Sequence, residues 1–157
     1  MENHPTYLFR WIYAIRILRI CKSYCDEFKL FSILMLKTIL YIAIGGAIGS
    51  VLRYLTAVFV NKYWANHFPL ATFITNVLGC FLIGFLIGIL EKNNLANSNL
   101  KWFLVTGFCG GYTTFSTFGY ENYTLFQNNN SLLGFAYIGL SILVGLFAVW
   151  LGLFVSK

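Results

Sequence analysis

WFLVTGFCGGYTTFSTFGYENYTLF, residues 102–126, is the stretch whose reading decides how this chain folds. It is long enough to cross the roughly 30 Å of hydrocarbon that about 20 helical residues span. Yet it carries Thr106, Thr113, Thr114, Ser116, Thr117, Tyr120, Glu121 and Asn122, polar groups for which lipid offers no partner. Gly110 and Gly111 lie near its middle. Adjacent glycines weaken a helix by about 1 kcal/mol each against alanine, and the hydroxyls that follow compete for backbone hydrogen bonds. The reading predicts a membrane helix broken at Gly110-Gly111, with carbonyls freed before the break and amides after it. Such a break is tolerated in a bilayer only where the backbone lines a cavity or binds an ion.

The rest of the chain fits that setting. Hydrophobic residues make up 59% and charged residues 10% of the 157, and the mean hydropathy is +0.72. A soluble domain covers itself with roughly 25% charged residues; this chain has too few, so its surface faces lipid. Three further apolar runs, Thr38–Val60, Pro69–Leu90 and Leu132–Val155, make a bundle of four transmembrane helices with short connections. The expected fold is all-α and up-down-up-down, with both termini on one side. Gly45/Gly49, Gly84/Gly88 and Ser141/Gly145 place small residues four apart, a spacing that lets helix backbones approach closely. Four short helices enclose little by themselves, so an oligomer is expected.

The net charge of +6 is not a nucleic-acid footprint. Five of the basic residues (Arg10, Arg16, Arg19, Lys22, Lys29) precede Met35, and most others flank apolar runs, where they anchor helices at headgroups. Residues 1–34 read as a separate N-terminal extension and 35–157 as the membrane domain. Leu8–Lys22 is apolar but interrupted by four basic residues, each costing roughly 2.5–3.5 kcal/mol at mid-bilayer, so it is not expected to span. Arg16, Arg19 and Lys22 form a basic stripe opposite Tyr13, Ile17 and Ile20, as in an interfacial helix. The alternative is a start at Met35. Cys21 and Cys25 have no partner at metal-ligand spacing, and Cys80 and Cys109 lie inside apolar segments, where cysteine acts as a small hydrophobe.

The polar residues inside the spans point to a substrate class. The second span carries Thr72, Thr75 and Asn76, and the fourth carries Tyr137 and Ser141 one turn apart, hence on one face. Nearly all are neutral donors, which suits a small anion that must shed water. Phe115 and Phe118 lie three apart; the positive edges of their rings could line a pore, but the spacing alone favours two aromatics filling a core. Arg53, about 24 Å along a helix from Lys37, either snorkels to headgroups or draws anions into a vestibule. Glu121 is the one acid inside a span, without a charged or histidine neighbour in sequence. No P-loop, triad or carboxylate pair is present in the sequence, so an enzyme is not expected.

Three motifs together, GGAIGSVLRY (45–54), TFITNVLGCFLIG (72–84) and GFCGGYTTFSTF (107–118), resemble in order and position the signatures of the Fluc (CrcB) fluoride channel family. The resemblance covers residues 35–157. It implies a passive channel that lets fluoride leave the cytoplasm across the cell's inner or plasma membrane. It also implies an antiparallel, dual-topology homodimer with two fluoride pathways and one central structural sodium ion (Na+). By the resemblance, backbone carbonyls of Gly110 and Thr113 hold the sodium. The fluoride pathway maps to Asn76, Phe115, Phe118, Tyr137 and Ser141, with Thr72, Ser116, Thr117 and Glu121 adjacent.

Two departures stand out. Gly145 occupies the turn after Ser141, where some members of the family have a hydroxyl. Second, nine basic residues (Arg10, Arg16, Arg19, Lys22, Lys29, Lys37, Lys92, Lys101, Lys157) fall on the side of the termini and one (Lys62) opposite. That bias predicts a fixed orientation with cytoplasmic termini, whereas dual topology needs near balance. Either the extension is not made or the partner is an oppositely oriented paralogue. Two other function classes remain: a proton-coupled exporter of cationic drugs working through Glu121, and a membrane scaffold that transports nothing.

Overall fold

The computed structural model describes residues 6–64 and 68–157, with side chains before residue 26 described only at Arg16 and Lys22. The interfacial stripe expected around Tyr13, Ile17, Arg19 and Ile20 therefore lies outside the described side chains. The described backbone is helical apart from its turns and the extended Thr113–Thr114 pair, and the described residues hold no strand. It runs α1 (Thr6–Tyr63), α2 (Leu70–Lys92), α3 (Asn99–Lys101), π1 (Trp102–Cys109), α4 (Gly110–Tyr112), α5 (Phe115–Gln127) and α6 (Ser131–Ser156). By contacts the chain divides into two units, Met1–Lys37 and Thr38–Lys157, and everything below concerns the second.

Three described helices are long and apolar enough to cross a membrane: Asp26–Tyr63, Leu70–Lys92 and Ser131–Ser156. The segment 102–126 is divided instead. Its interruption differs from the expectation, because Gly110 is helical (φ −62°, ψ −37°) and the chain becomes extended only at Thr113 (φ −84°, ψ 159°) and Thr114 (φ −149°, ψ 120°). Gly111 serves contact rather than breakage. A Cβ on Gly111 would come within 2.5 Å of the Gly46 carbonyl oxygen. The hydroxyl pair supplies the break, since Thr114 bonds its neighbours through its own side chain. Before it, Trp102–Cys109 is wound as a π-helix, a form most often met at functional sites.

Two seams hold the spans. Gly45 and Gly49 of α1 meet the backbone of π1 at Phe103, Gly107 and Phe108, and Gly84 and Gly152 press α2 and α6 together at Val149 and at Phe81 and Phe85. Contacts advance in the same direction along both members of each seam, so α1 runs parallel to π1 and α2 parallel to α6. Lys92 Nζ donates to the Lys157 carbonyl at 2.8 Å, which joins the two C-terminal ends. The Ser141/Gly145 pair forms no comparable seam. A Cβ at Gly145 would meet only Cys80 Sγ, at an ordinary 3.5 Å.

Both turns beside these spans close in the same way. Asn94 (φ 56°) and Asn129 (φ 57°) are left-handed, and the amides after them reach back to Leu90 (2.7 Å) and Leu125 (2.9 Å). This is the six-to-one bond that ends a helix on a left-handed residue, with asparagine where glycine is usual.

Candidate functional site

The break is built around Thr114. Its amide donates to Asn76 Oδ1 at 2.8 Å, and its carbonyl accepts from Asn76 Nδ2 at 3.1 Å. One side chain of α2 thus satisfies both backbone groups of the extended residue, groups that would otherwise be stranded in a low-dielectric interior. The Thr114 hydroxyl caps α5, accepting from the Thr117 amide at 3.3 Å and donating to Thr117 Oγ1 at 3.0 Å. It also lies 3.3 Å from Ser116 Oγ. Thr113 is tied back to the Cys109 carbonyl by its amide and its hydroxyl, both at 3.0 Å.

These bonds leave carbonyls without their helical donors. The amide four residues beyond Gly110 belongs to Thr114 and is taken by Asn76; the one four beyond Thr113 belongs to Thr117 and is taken by the Thr114 hydroxyl. Gly110 stands in the open, with nothing within 4 Å of a Cβ built on it, so its oxygen-only donor fits a hard cation. Thr113 fits less well, because its carbonyl already accepts from Arg53 Nη1 at 3.2 Å and a guanidinium repels a neighbouring cation. A hard cation gathers about six oxygens, so a site here needs donors from outside this chain. Among the described residues no cluster of His, Cys, Asp or Glu could hold a metal.

Asn76, Phe115, Phe118 and Ser141 all line one groove of about 630 Å³, together with Gly110 and Thr113. Phe115 is 84% exposed; its ring centroid lies 5.9 Å from that of Phe118, which in turn lies 4.9 Å from that of Tyr137. Tyr137 is fully buried and donates to Glu121 Oε2 at 3.0 Å, while Thr72 Oγ1 donates to Glu121 Oε1 at 2.7 Å. Glu121 is therefore held from α2 and α6 at once. A second, polar cavity of about 270 Å³ is lined by Arg53, Thr72 and Thr117 among others, and Thr114 lines both. Ser116 is exposed beside the break.

The structure brings many of the residues singled out in the sequence together beside the break, and it adds two features that sequence reasoning missed. Thr114, the hub, was signalled by a threonine just before a Phe-Ser-Thr-Phe helix start, the N-cap position. The Thr72–Glu121–Tyr137 triangle joins residues up to 65 positions apart in sequence, and no local signal links them.

A family model described as CrcB-like protein, Camphor Resistance (CrcB), matches residues 40–153. A protein of Flavobacterium psychrophilum named fluoride-specific ion channel FluC is 57% identical over 122 residues, covering 78% of this chain and 98% of that protein. One of the same name from Azobacteroides pseudotrichonymphae is 46% identical, covering 78% of this chain and 98% of the relative. Another from Gloeothece citriformis is 41% identical, covering 76% and 96%. Long apolar helices and these relatives make this a multi-pass membrane protein. With a match over most of its length, the chain belongs to the CrcB family.

Proposed function

We propose that this chain is a fluoride channel, letting fluoride leave the cytoplasm passively through the inner or plasma membrane. The reading is supported by relatives named fluoride-specific ion channels, and it makes the protein a channel and not an enzyme. The observation that carries it at the level of residues is the Asn76-bridged break beside a groove lined by Phe115, Phe118 and Ser141. Segment 102–126 is read as the third of four spans, crossing as two half-helices. The open groove calls for a second subunit, placed antiparallel, either an identical chain or an oppositely oriented paralogue. Residues 35–157 then form the channel and 1–34 an appended interfacial segment.

Roles follow from position. Arg53, beside Thr72 and Thr117 in the polar cavity, attracts the anion into a vestibule. Asn76 keeps one amide hydrogen beyond its bond to Thr114, and with Ser141 and the ring edges of Phe115 and Phe118 it offers donors along the groove. Glu121 accepts from Thr72 and Tyr137, which sets the orientation of Tyr137 beneath Phe118. Ser116 stands at the mouth of the break. The Gly110 carbonyls of two subunits hold a structural sodium ion that fixes the interface, and the Thr113 carbonyls, engaged by Arg53, contribute less.

Fluoride efflux from liposomes of the purified protein, with a potassium ionophore present and chloride as control, tests the reading. Fast efflux of fluoride alone, lost in Phe118→Ile, is expected. A well-folded protein that passes no fluoride, either by itself or with a paralogue, overturns it.

A further inference from the structure

Ser141 buries its hydroxyl oxygen without a hydrogen-bond partner. On the next turn of α6, Gly145 offers no side chain at all. The space that a side chain at 145 would enter is bounded by Cys80, whose Sγ lies 3.5 Å from a Cβ built on that glycine. Cys80 follows Asn76 by one turn of α2, so the two share a face. Asn76, Cys80 and Ser141 all line the 630 Å³ groove. A donor at this level therefore comes from α2 instead of α6, and it is a thiol.

We propose that the Cys80 thiol is a pore-lining group that continues the line of donors past Ser141, taking the place of a hydroxyl at position 145. The inference rests on the fluoride-channel reading above. A neutral S–H is a weak donor, and weak, successive sites let an ion enter and still leave. A donor at position 145 is then not needed, because the groove needs one donor at this level and the Cys80 thiol supplies it. Cys109 borders the same groove but is almost fully buried, at 2% exposure, and serves packing.

The test uses a parent in which Cys21, Cys25 and Cys109 are alanine, leaving Cys80 as the single thiol, and reads fluoride efflux from liposomes. Cys80→Ala lowers the rate by about three- to ten-fold, the worth of one hydrogen bond, while Cys80→Ser keeps it. Adding Gly145→Ser to Cys80→Ala restores the rate, since 3.5 Å leaves room for a side chain from α6. A small methanethiosulfonate blocks the parent and spares the Cys80→Ala protein. The block is read in the conducting parent, so it stands even if Cys80→Ala misassembles. A conducting parent that is indifferent both to the reagent and to Cys80→Ala sinks this inference alone. A parent, and an unmodified protein, that pass no fluoride sink the channel reading and this inference with it.

Discussion

Asn76 does at one residue what a turn of helix does elsewhere: it completes the hydrogen bonds of an extended backbone inside a membrane protein. Replacing it by alanine leaves the Thr114 amide and carbonyl unpaired, at roughly 1–3 kcal/mol for each buried group. Asn76→Ala is therefore expected to lower the melting temperature in detergent as well as abolish fluoride efflux. A variant that keeps its stability but loses efflux would confine Asn76 to the ion path. Glu121 makes a different prediction. A glutamine keeps one acceptor oxygen, and the hydroxyls of Thr72 and Tyr137 can rotate to accept from its amide. Glu121→Gln should thus retain fluoride-selective efflux, slowed by about ten-fold or less. Complete loss of transport, with Phe118→Ile harmless, would favour the proton-coupled exporter.

At the scale of elements, the sequence announced a break in segment 102–126 but placed it three residues early. The glycine pair weakens a helix in isolation, yet Gly111 sits where α1 approaches too closely for any side chain, and packing overrides propensity. The threonines break the chain because Thr114 caps α5 and because Asn76, from another helix, receives its backbone. That second partner is invisible from the segment itself. Gly111→Ala is accordingly expected to destabilise by about 1–3 kcal/mol, as overpacking does, and Gly110→Ala, with open space around it, to leave thermal stability nearly unchanged. The reverse order would return the break to the glycines. The spans were legible because apolar length is a strong signal, and their observed limits differ by only one or two residues at Leu70–Lys92 and Ser131–Ser156. The asparagine turns were not, because Asn94 and Asn129 sit among other asparagines and only the backbone reveals which one takes the left-handed position. Asn129→Gly should stabilise slightly and Asn129→Val should cost about 1 kcal/mol, read by thermal unfolding.

At the scale of the whole molecule, the proposed second subunit finds its place at the break. The groove beside the break is open, Phe115 is almost wholly exposed at its edge, and Gly110 is exposed with nothing near the place of a Cβ. All three are features that the proposed second subunit would cover. In the four-span reading, however, nine basic residues flank the ends on the side of the termini against one on the other, and five of the nine lie before Met35. Each such residue near a span end biases insertion towards the cytoplasmic side, so the full chain should insert one way only. Removing residues 1–34 leaves four against one (Lys37, Lys92, Lys101 and Lys157 against Lys62), and the bias should weaken. A cysteine tag at the C-terminus, probed in cells with a membrane-impermeant thiol reagent on a background lacking the natural cysteines, reads the outcome. Full-length protein labelled only after lysis, with the truncated form labelled partly before it, would mean that the extension sets orientation and that an antiparallel dimer needs a partner chain of opposite bias. Labelling of the full-length form before lysis would instead mean that both orientations are made, and the identical chain then suffices.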